Sequence, residues 1–309
     1  MVTIDLSTPP PPAETFLDGL PRRLALTLPE LRLAAELAGN APLPFDESAP
    51  TEGEGGLAGR LGATRTSEDD SAYQSAVASL HDPRETLSRR GLLDDGGLDR
   101  GLSGAVGLLA TPDLALEIDV ATADTQVKAW HRHADGAVAT LSTCDGIVFE
   151  IAWFPVEHWA GELGRITAVP DDYDLAASAV PSDMDVPFSV LDAAGEAIRT
   201  GRSDLVPVLL THHGDGGVLS DGEALDDTSA LSAISAVHTE GRGRLRILGA
   251  EVSGRTTTDV GVISWVLLRD GWHSLTPYQD GETARIGLRL VNPDDLAAEL
   301  APVLAQVTT

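Results

Sequence analysis

The histidines of this sequence form two groups that could bind a metal ion. His131 and His133 alternate along a predicted strand, so both side chains lie on one face of it. His212 and His213 are followed closely by Asp215. Neither group is accompanied by a further ligand at a spacing recognised for zinc. Because histidines beside turns are more often solvated than metal-bound, we predict no metal site. A metal-dependent hydrolase is the least supported of the functions considered.

The other residue types that carry enzyme chemistry lack their usual partners. The glycine-rich run GEGGLAGRLG at 53–62 is not followed by Gly-Lys-Ser/Thr, so it does not fit a phosphate-binding loop. Ser103 lies in GLSGA rather than in Gly-x-Ser-x-Gly, and Cys144 has no base nearby in the sequence. A group of acidic residues lacks the calcium-loop register; it consists of Asp215, Asp221, Glu223, Asp226 and Asp227. The sequence therefore predicts a protein that is not an enzyme and has no cofactor.

The composition excludes several classes of partner. The chain has 309 residues, with 48 acidic against 21 basic residues and a formal net charge of −27. This charge opposes binding to nucleic acid and to anionic membranes. No apolar run approaches the length of a membrane span, so we expect no membrane insertion. The single cysteine excludes an internal disulfide, and the amino terminus shows no secretion signal. We expect a cytoplasmic protein.

One sequence pattern occurs twice and predicts the main elements of the fold. VKAWHRHADGAVATLSTCDG at 127–146 and VISWVLLRDGWHSLTPYQDG at 262–281 share Trp130 with Trp265 and two Asp-Gly pairs at the same spacing. Asp-Gly supplies the positive φ angles of a two-residue hairpin turn, so each copy predicts a three-stranded meander, with turns at Gly136 and Gly271. A strand and an amphipathic helix follow each copy, and Pro293 marks the start of the second helix. The alternative is two ordinary hairpins that share common turn residues.

These elements together predict an α+β fold. It consists of two pseudo-repeats of antiparallel β-meander plus helices, related by a quasi-two-fold axis, with the sheet packed on helical layers. The predicted segments are a disordered proline-rich tail at 1–20, an N-terminal half at 21–170 and a C-terminal half at 171–309. The N-terminal half includes a mobile acidic loop at 46–70, and a second polar loop is predicted at 212–227. The two halves form one integrated domain.

The aromatic residues and the strand alternation indicate which side chains pack and which bind a partner. Trp130 and Trp265 occupy equivalent places in the two copies, so we predict core packing for them and for Trp272; a ligand groove lined by tryptophans is the other interpretation. In the strand FEIAWF, helices are expected to cover the face that carries Phe149, Ile151 and Trp153. The opposite face would then meet a partner. The predicted partner-binding residues are Val138, Thr140, Val148, Phe154 and Leu209.

Several runs resemble one known family, the EspG chaperones of type VII (ESX) secretion systems. GRLRILGAEVSGR, VISWVLLRDGWHSLTP and DGETARIGLRLVNPDDLAAELAPVL resemble the carboxy-terminal region of that family. LALTLPELRLAAELAG and SRRGLLDDGG are similar to its amino-terminal half. The resemblance covers most of residues 24–307 and depends on the order and spacing of these runs. The acidic loop at 46–70 and the proline-rich tail have no match in the family pattern.

The resemblance implies a cytosolic, non-enzymatic chaperone of actinobacteria. Such a protein binds the apolar tip of a helical secretion substrate, a PE–PPE heterodimer or a similar helical hairpin, and is a monomer or weak homodimer when free. The family has no fixed cargo-binding motif, so the resemblance assigns no binding residue in this chain. The alternative is a small-molecule or regulatory binding protein on the same scaffold, which predicts a closed apolar pocket.

Overall fold

A computed structural model describes residues 22–47, 67–122, 125–169, 173–213, 217–253 and 256–305 of the chain. The predicted tail at 1–20 and most of the predicted acidic loop at 46–70 lie outside these residues. Within the described ranges, every helix is too short or too polar to cross a lipid bilayer.

Helices and antiparallel strands both contribute extensively, and the predicted α+β class is confirmed. The helices are α1 Leu28–Leu37, α2 Pro44–Glu47, α3 Ser67–Ala78, α4 Pro83–Arg89, α5 Arg100–Ala110, α6 Trp159–Ile166, α7 Phe188–Arg199, α8 Val206–His213, α9 Asp227–Thr239 and α10 Leu296–Ala305. The strands are β1 Arg22–Thr27, β2 Leu93–Asp94, β3 Gly97–Leu98, β4 Leu114–Thr122, β5 Gln126–Ala134, β6 Ala137–Thr143, β7 Val148–Pro155, β8 Asp183–Pro187, β9 Leu219–Ser220, β10 Glu223–Ala224, β11 Gly243–Ser253, β12 Thr256–Leu268, β13 Gly271–Asp280 and β14 Thr283–Val291.

The described residues fall into two compact units. The first unit takes its residues from Met1–Leu116, Lys128–His158 and Glu251–Thr257, and the second from Glu117–Val127, Trp159–Ala250 and Thr258–Thr309. Helix α6, which follows the first predicted meander, therefore belongs to the second unit. The predicted halves at 21–170 and 171–309, and their quasi-two-fold relation, stay predictions.

The first unit packs helices α1, α4 and α5 on one face of the strands β1, β7, β6 and β5, which are neighbours in that order. Leu141 lies opposite Ile151 in the antiparallel register of β6 and β7, and both are fully buried. Thr27 caps helix α1, which begins at Leu28. The Thr27 hydroxyl accepts a hydrogen bond from the Glu30 amide, and the Thr27 amide donates to the Glu30 carboxylate at 2.8 Å.

The second unit places helices α7, α8 and α9 over the strands β12, β13, β14 and β8. Its core includes Met184 and Val186 of β8 and Leu288 of β14, together with Val190 of α7 and Ile234 of α9. The strands continue in the order β11-β12-β13-β14-β8-β9-β10. Burial of these aliphatic side chains supplies the main driving force for this unit, at about 25 cal/mol for each Å² removed from water.

The tight turns of the two predicted meanders differ. Asp135 and Gly136 have φ angles of 50° and 75° and form the two-residue loop between β5 and β6, as predicted. In the second meander Leu268 pairs with Gly271, so the two-residue loop is Arg269–Asp270. The prediction that Asp270-Gly271 forms this loop is therefore wrong. Gly271 instead begins β13 with a φ angle of 135°, a conformation that favours glycine.

The two predicted polar loops contain more regular structure than expected. Asp46 and Glu47 end α2, and residues 67–70 begin α3, so the loop prediction for 46–70 is wrong for these residues. Residues 48–66 lie outside the described part of the chain. The segment 212–227 includes the β9–β10 hairpin, whose turn residues Asp221 and Gly222 have φ angles of 50° and 81°. Here too an Asp-Gly pair supplies the positive φ angles, and the prediction of a loop missed this hairpin signal.

Candidate partner-binding surface

The four histidines that could act as metal ligands lie in two separate elements. His131 is completely buried in β5, and His133 is half-buried two residues further along the same strand. His212 and His213 form the last turn of α8, and Asp215 lies outside the described residues. In the part of the chain that the structure describes, no three His, Cys, Asp or Glu side chains group closely enough to hold a metal ion.

Cys144 lies exposed at the end of β6, next to the turn that leads into β7. Partial loss of solvation raises the pKa of its thiol, and the nearby charges of Asp145 and Glu150 raise it further. The thiol is therefore protonated at neutral pH, whereas a nucleophilic cysteine needs a lowered pKa.

The tryptophans pack in the interior instead of lining a groove. The side chain of Trp130 is 7% exposed, and those of Trp153, Trp265 and Trp272 are 1% exposed. The indole nitrogen of Trp265 donates to Glu299 Oε2 of α10 at 2.7 Å, and that of Trp272 donates to the carbonyl of Thr167 at 2.9 Å. These two side chains thus satisfy their polar atoms while filling the core.

Three of the five predicted partner-binding residues do not face solvent. Val138, Thr140 and Phe154 are 0%, 3% and 1% exposed, whereas Val148 is 44% exposed. Leu209 is half-buried and packs against the core of the second unit. The expectation that this sheet face is open is therefore wrong for β6 and most of β7, and the binding role of the five residues stays a prediction.

The reason lies in the strand β7, which is buried on both faces. Ile151 and Trp153 point into the core of the first unit, yet Ala152 and Phe154 on the opposite face are equally buried. The run IAWF has apolar residues at both odd and even positions, and such a run is typical of a strand buried on both sides. A strand open on one side would alternate between apolar and polar residues.

The strands β11 and β12 of the second unit do have a face that opens to solvent. A side-chain carbon placed on Gly243 would lie 3.3 Å from Cβ of Leu267, so the odd-numbered residues of the two strands share one face. That face is closed, since Leu245, Ile247 and Trp265 are at most 1% exposed. The even-numbered residues lie on the opposite face.

The helices α7, α8 and α9 cover this opposite face along only part of the strands. Val266 and Leu275 pack against the core beneath α7, α8 and α9. The rest of the face is accessible, and Val262 is 58% exposed, the largest value for a large apolar side chain among the described residues. We call this region the open sheet face; it consists of Arg244, Arg246 and Leu248 of β11 and Val262 and Ser264 of β12.

A cleft of about 230 Å³ lies in the same unit, at the start of α7 and the tip of the β13–β14 hairpin. It is lined by Phe188, Pro277, Tyr278, Gln279, Ala284 and Arg285. Trp265 of β12 lies opposite Ser274 of β13 in an antiparallel register. Continuing this register places Val262 of β12 near Pro277 of β13. The open sheet face and the cleft therefore lie at the same end of these strands.

A network of hydrogen bonds holds one wall of the cleft in place. The Tyr278 hydroxyl donates to Asp185 Oδ2 at 2.5 Å, and the buried Arg285 guanidinium also donates to Asp185. A second Arg285 nitrogen donates to the carbonyl of Gly217 at 3.0 Å. The hydrogen bond to Asp185 raises the pKa of Tyr278, and its slight burial raises it further. Tyr278 is thereby fixed with 45% of its surface exposed.

Comparison with solved structures identifies a protein of the same fold. The chain matches the type VII secretion system chaperone EspG5 of Mycobacterium tuberculosis, solved in complex with the PE25–PPE41 dimer, with a TM-score of 0.58 and 11% sequence identity. The match covers 93% of this chain and 95% of that chain. No protein-family model matches the sequence, and no curated protein matches it either. The resemblance stated from the sequence is thus confirmed for the fold, and the chain has the architecture of an EspG chaperone over nearly its whole length.

Proposed function

We propose that this protein is a cytosolic chaperone of a type VII secretion system, which binds the apolar tip of a helical substrate, keeps it soluble and delivers it for secretion. The match to EspG5 over 93% of the chain is the observation that carries the proposal. That neighbour is a chaperone in complex with a PE–PPE dimer, and a helical protein pair of this kind is the partner we propose for this chain.

The open sheet face supports the choice of binding surface. An amphipathic helix binds by laying its apolar side into a hydrophobic groove. Val262 and Leu248 provide an apolar surface beside the helical layer formed by α7, α8 and α9. Phe188, at 48% exposure, adds an aromatic side chain at the start of α7. Contact with a partner would remove these apolar groups from water, which favours association.

The alternative, a small-molecule binding protein, needs a closed apolar pocket. The cleft beside Phe188 is an open depression, and its lining includes Gln279 and Arg285. The cleft therefore offers little support for that alternative.

The first experiment identifies the substrate. The tagged chain is purified from the cytosol of its source organism, and the proteins that accompany it are identified by mass spectrometry. We expect two helical proteins in a 1:1:1 complex with the chain. Co-expression then tests the chaperone role: the pair should remain soluble only when the chain is present. Recovery of the chain alone under several growth conditions would contradict the proposal.

The second experiment tests the surface with matched variants. Val262→Asp places a charge on the open sheet face, and we expect it to weaken binding of the recovered pair by at least about tenfold, which is roughly 1.4 kcal/mol. Val148→Asp makes the same change at the 44% exposed position in β7 and should leave the affinity unchanged. Both variants should fold, because both side chains are exposed. The opposite pattern would assign binding to the surface predicted from the sequence.

A further inference from the structure

Two exposed arginines stand side by side on the open sheet face. Arg244 and Arg246 occupy alternate positions of β11, and both side chains are exposed. Alternate residues of a strand point to the same face and are about 6.8 Å apart along it. The intervening Leu245 and the following Ile247 are fully buried on the other face. The sheet therefore presents two guanidinium groups in a fixed row.

These two arginines have no acidic partner among residues 22–47, 67–122, 125–169, 173–213, 217–253 and 256–305. Neither forms an ion pair or a side-chain hydrogen bond there. Many arginines of the chain do pair with a carboxylate; the pairs include Arg23–Glu150, Arg90–Glu30, Arg165–Glu162, Arg202–Asp204 and Arg289–Asp183. Other exposed arginines also lack an ion pair within the described residues, and they include Arg32, Arg84, Arg100 and Arg269. Arg244 and Arg246 differ from these four because they lie next to each other on one face of one strand.

Two acidic side chains of the neighbouring strand, Glu117 and Asp119 of β4, lie on the same face as the row but form no ion pair with it. A side-chain carbon on Gly243 would lie 3.3 Å from Cγ2 of Thr122, which places the odd-numbered residues of β4 on the face of Arg244 and Arg246. The Asp119 carboxylate accepts a hydrogen bond from Gln126 at 3.1 Å. Arg242, just before β11, places its guanidinium 5.5 Å from the centre of the Tyr173 ring, which is a cation–π contact. Arg242 therefore has a structural contact within the protein, whereas Arg244 and Arg246 remain available to a ligand.

We propose that Arg244 and Arg246 recognise an acidic segment of the helical partner, with two carboxylates one helical turn apart. The proposal rests on the proposed function and names the chemistry of the partner at the same site. Residues i and i+4 of a helix have side chains about 5–6 Å apart, which matches the spacing of the two arginines. Arginine binds a carboxylate through two parallel hydrogen bonds, so the row can fix the orientation of the bound helix.

The overall charge of the chain makes this pair of arginines selective. A net charge of −27 repels an acidic partner at long range, so an acidic segment gains affinity only where it meets local positive charge. An acidic helix would therefore bind in one register, with its carboxylates against β11. A basic partner would be attracted by the whole surface but repelled at this row, and it would bind better once the arginines were reversed.

The test uses the full-length chain and the substrate pair recovered with it. Affinity is measured by titration calorimetry at about 50 mM and about 300 mM NaCl, since ionic contacts weaken as salt rises. We expect the double variant R244E/R246E to bind at least about tenfold more weakly than the natural chain and to lose most of the salt dependence. R244K/R246K should keep the salt dependence but bind more weakly, because lysine cannot form the two parallel hydrogen bonds.

The control is Arg32→Glu, which reverses an exposed arginine of α1 that has no ion pair in the described residues. We expect it to leave the affinity unchanged. Replacing the partner's two acids by arginine should restore binding to R244E/R246E and weaken binding to the natural chain. This reciprocal result would identify the contact directly.

Three outcomes would overturn the inference. If Val262→Asp abolishes binding while R244E/R246E binds normally, the chaperone function stands and the acidic recognition fails. Stronger binding by R244E/R246E would indicate a basic partner. Binding of inorganic phosphate or of phosphatidylglycerol vesicles that disappears in R244E/R246E, with the affinity for the protein pair unchanged, would assign the row to a different anion.

Discussion

At the scale of single residues, His238 links the stability of the second unit to pH. Its ring lies between α9 and α7, where Nε2 forms a 3.0 Å hydrogen bond with the carbonyl of Leu191. Gly195 of α7 has no side chain, and a side-chain carbon there would lie 2.7 Å from the His238 ring. Burial lowers the pKa of His238, although the hydrogen bond to Leu191 and the charge of Asp192 partly oppose this shift.

The sign of this shift leads to a prediction. Above the unfolded pKa of 6.5 the ring is neutral in both states and contributes no pH dependence. As the pH falls below that value, the unfolded chain binds the proton more readily than the folded chain, so the free energy of unfolding decreases. We expect urea denaturation midpoints to fall between about pH 7.5 and pH 5.5, and to fall less in His238→Gln. An equal fall in the variant would assign the effect to other groups.

At the scale of elements, the carboxylate of Glu30 joins the start of α1 to the end of β1 and to the end of α4. Glu30 is 5% exposed, accepts the amide of Thr27, and receives the Arg90 guanidinium at 3.3 Å. Burial acts to raise the pKa of Glu30, but the hydrogen bonds from Thr27 and Thr86 and the charge of Arg90 outweigh it, so the pKa is lowered. The stability this provides is present above the unfolded pKa and is lost as the pH falls through the folded one.

Replacing this carboxylate should destabilise the first unit. We expect Glu30→Ala to lower the free energy of unfolding by roughly 2–3 kcal/mol, because it removes a helix cap and leaves Arg90 without its carboxylate. Glu36→Ala changes an exposed acid of the same helix and should cost less than about 0.5 kcal/mol. Urea denaturation followed by circular dichroism measures both. Equal effects of the two variants would show that the cap contributes little.

Local signals in the sequence predicted the elements better than the faces. Thr27, Asp82 and Asp226 cap helices, and such caps are local signals because a capping side chain acts on its own neighbouring amides. The exposure of Val138 and Phe154 could not be predicted so simply, because it depends on what packs against the strand. The run GRLRIL did contain a usable signal: arginine and leucine alternate in it, which is typical of a strand with one exposed face. That this exposed face of β11 lies beside Val262 depends on the pairing of β11 with β12, which only the structure shows.

At the scale of the whole molecule, the charge balance determines how salt affects stability. The net charge of −27 makes the folded chain repel itself, since folding brings the acidic groups closer together. Surface ion pairs such as Arg199–Glu196 and Arg202–Asp204 are exposed and contribute little to stability. The repulsion is therefore expected to dominate over the attraction between exposed pairs.

Screening this repulsion should stabilise the protein. Raising the NaCl concentration from about 10 mM to about 300 mM shortens the screening length from about 30 Å to less than 10 Å. We expect the melting temperature to rise by a few degrees, as measured by differential scanning calorimetry. Potassium chloride at the same ionic strength serves as the control and should give the same shift. A fall in the melting temperature would show that ion pairs outweigh the repulsion.

The short hairpin β9–β10 has a further consequence for how the molecule behaves in solution. β9 and β10 follow β8 at the end of the strand order, and each has only two residues. Glu223 and Ala224 of β10 are exposed. A long bare edge would offer a row of backbone groups for another strand to pair with, and would invite polymerisation of sheet onto sheet. An edge of two residues, one of them charged, gives an incoming strand too few hydrogen bonds to hold it. This unit is thereby protected at that edge against growth into fibrils.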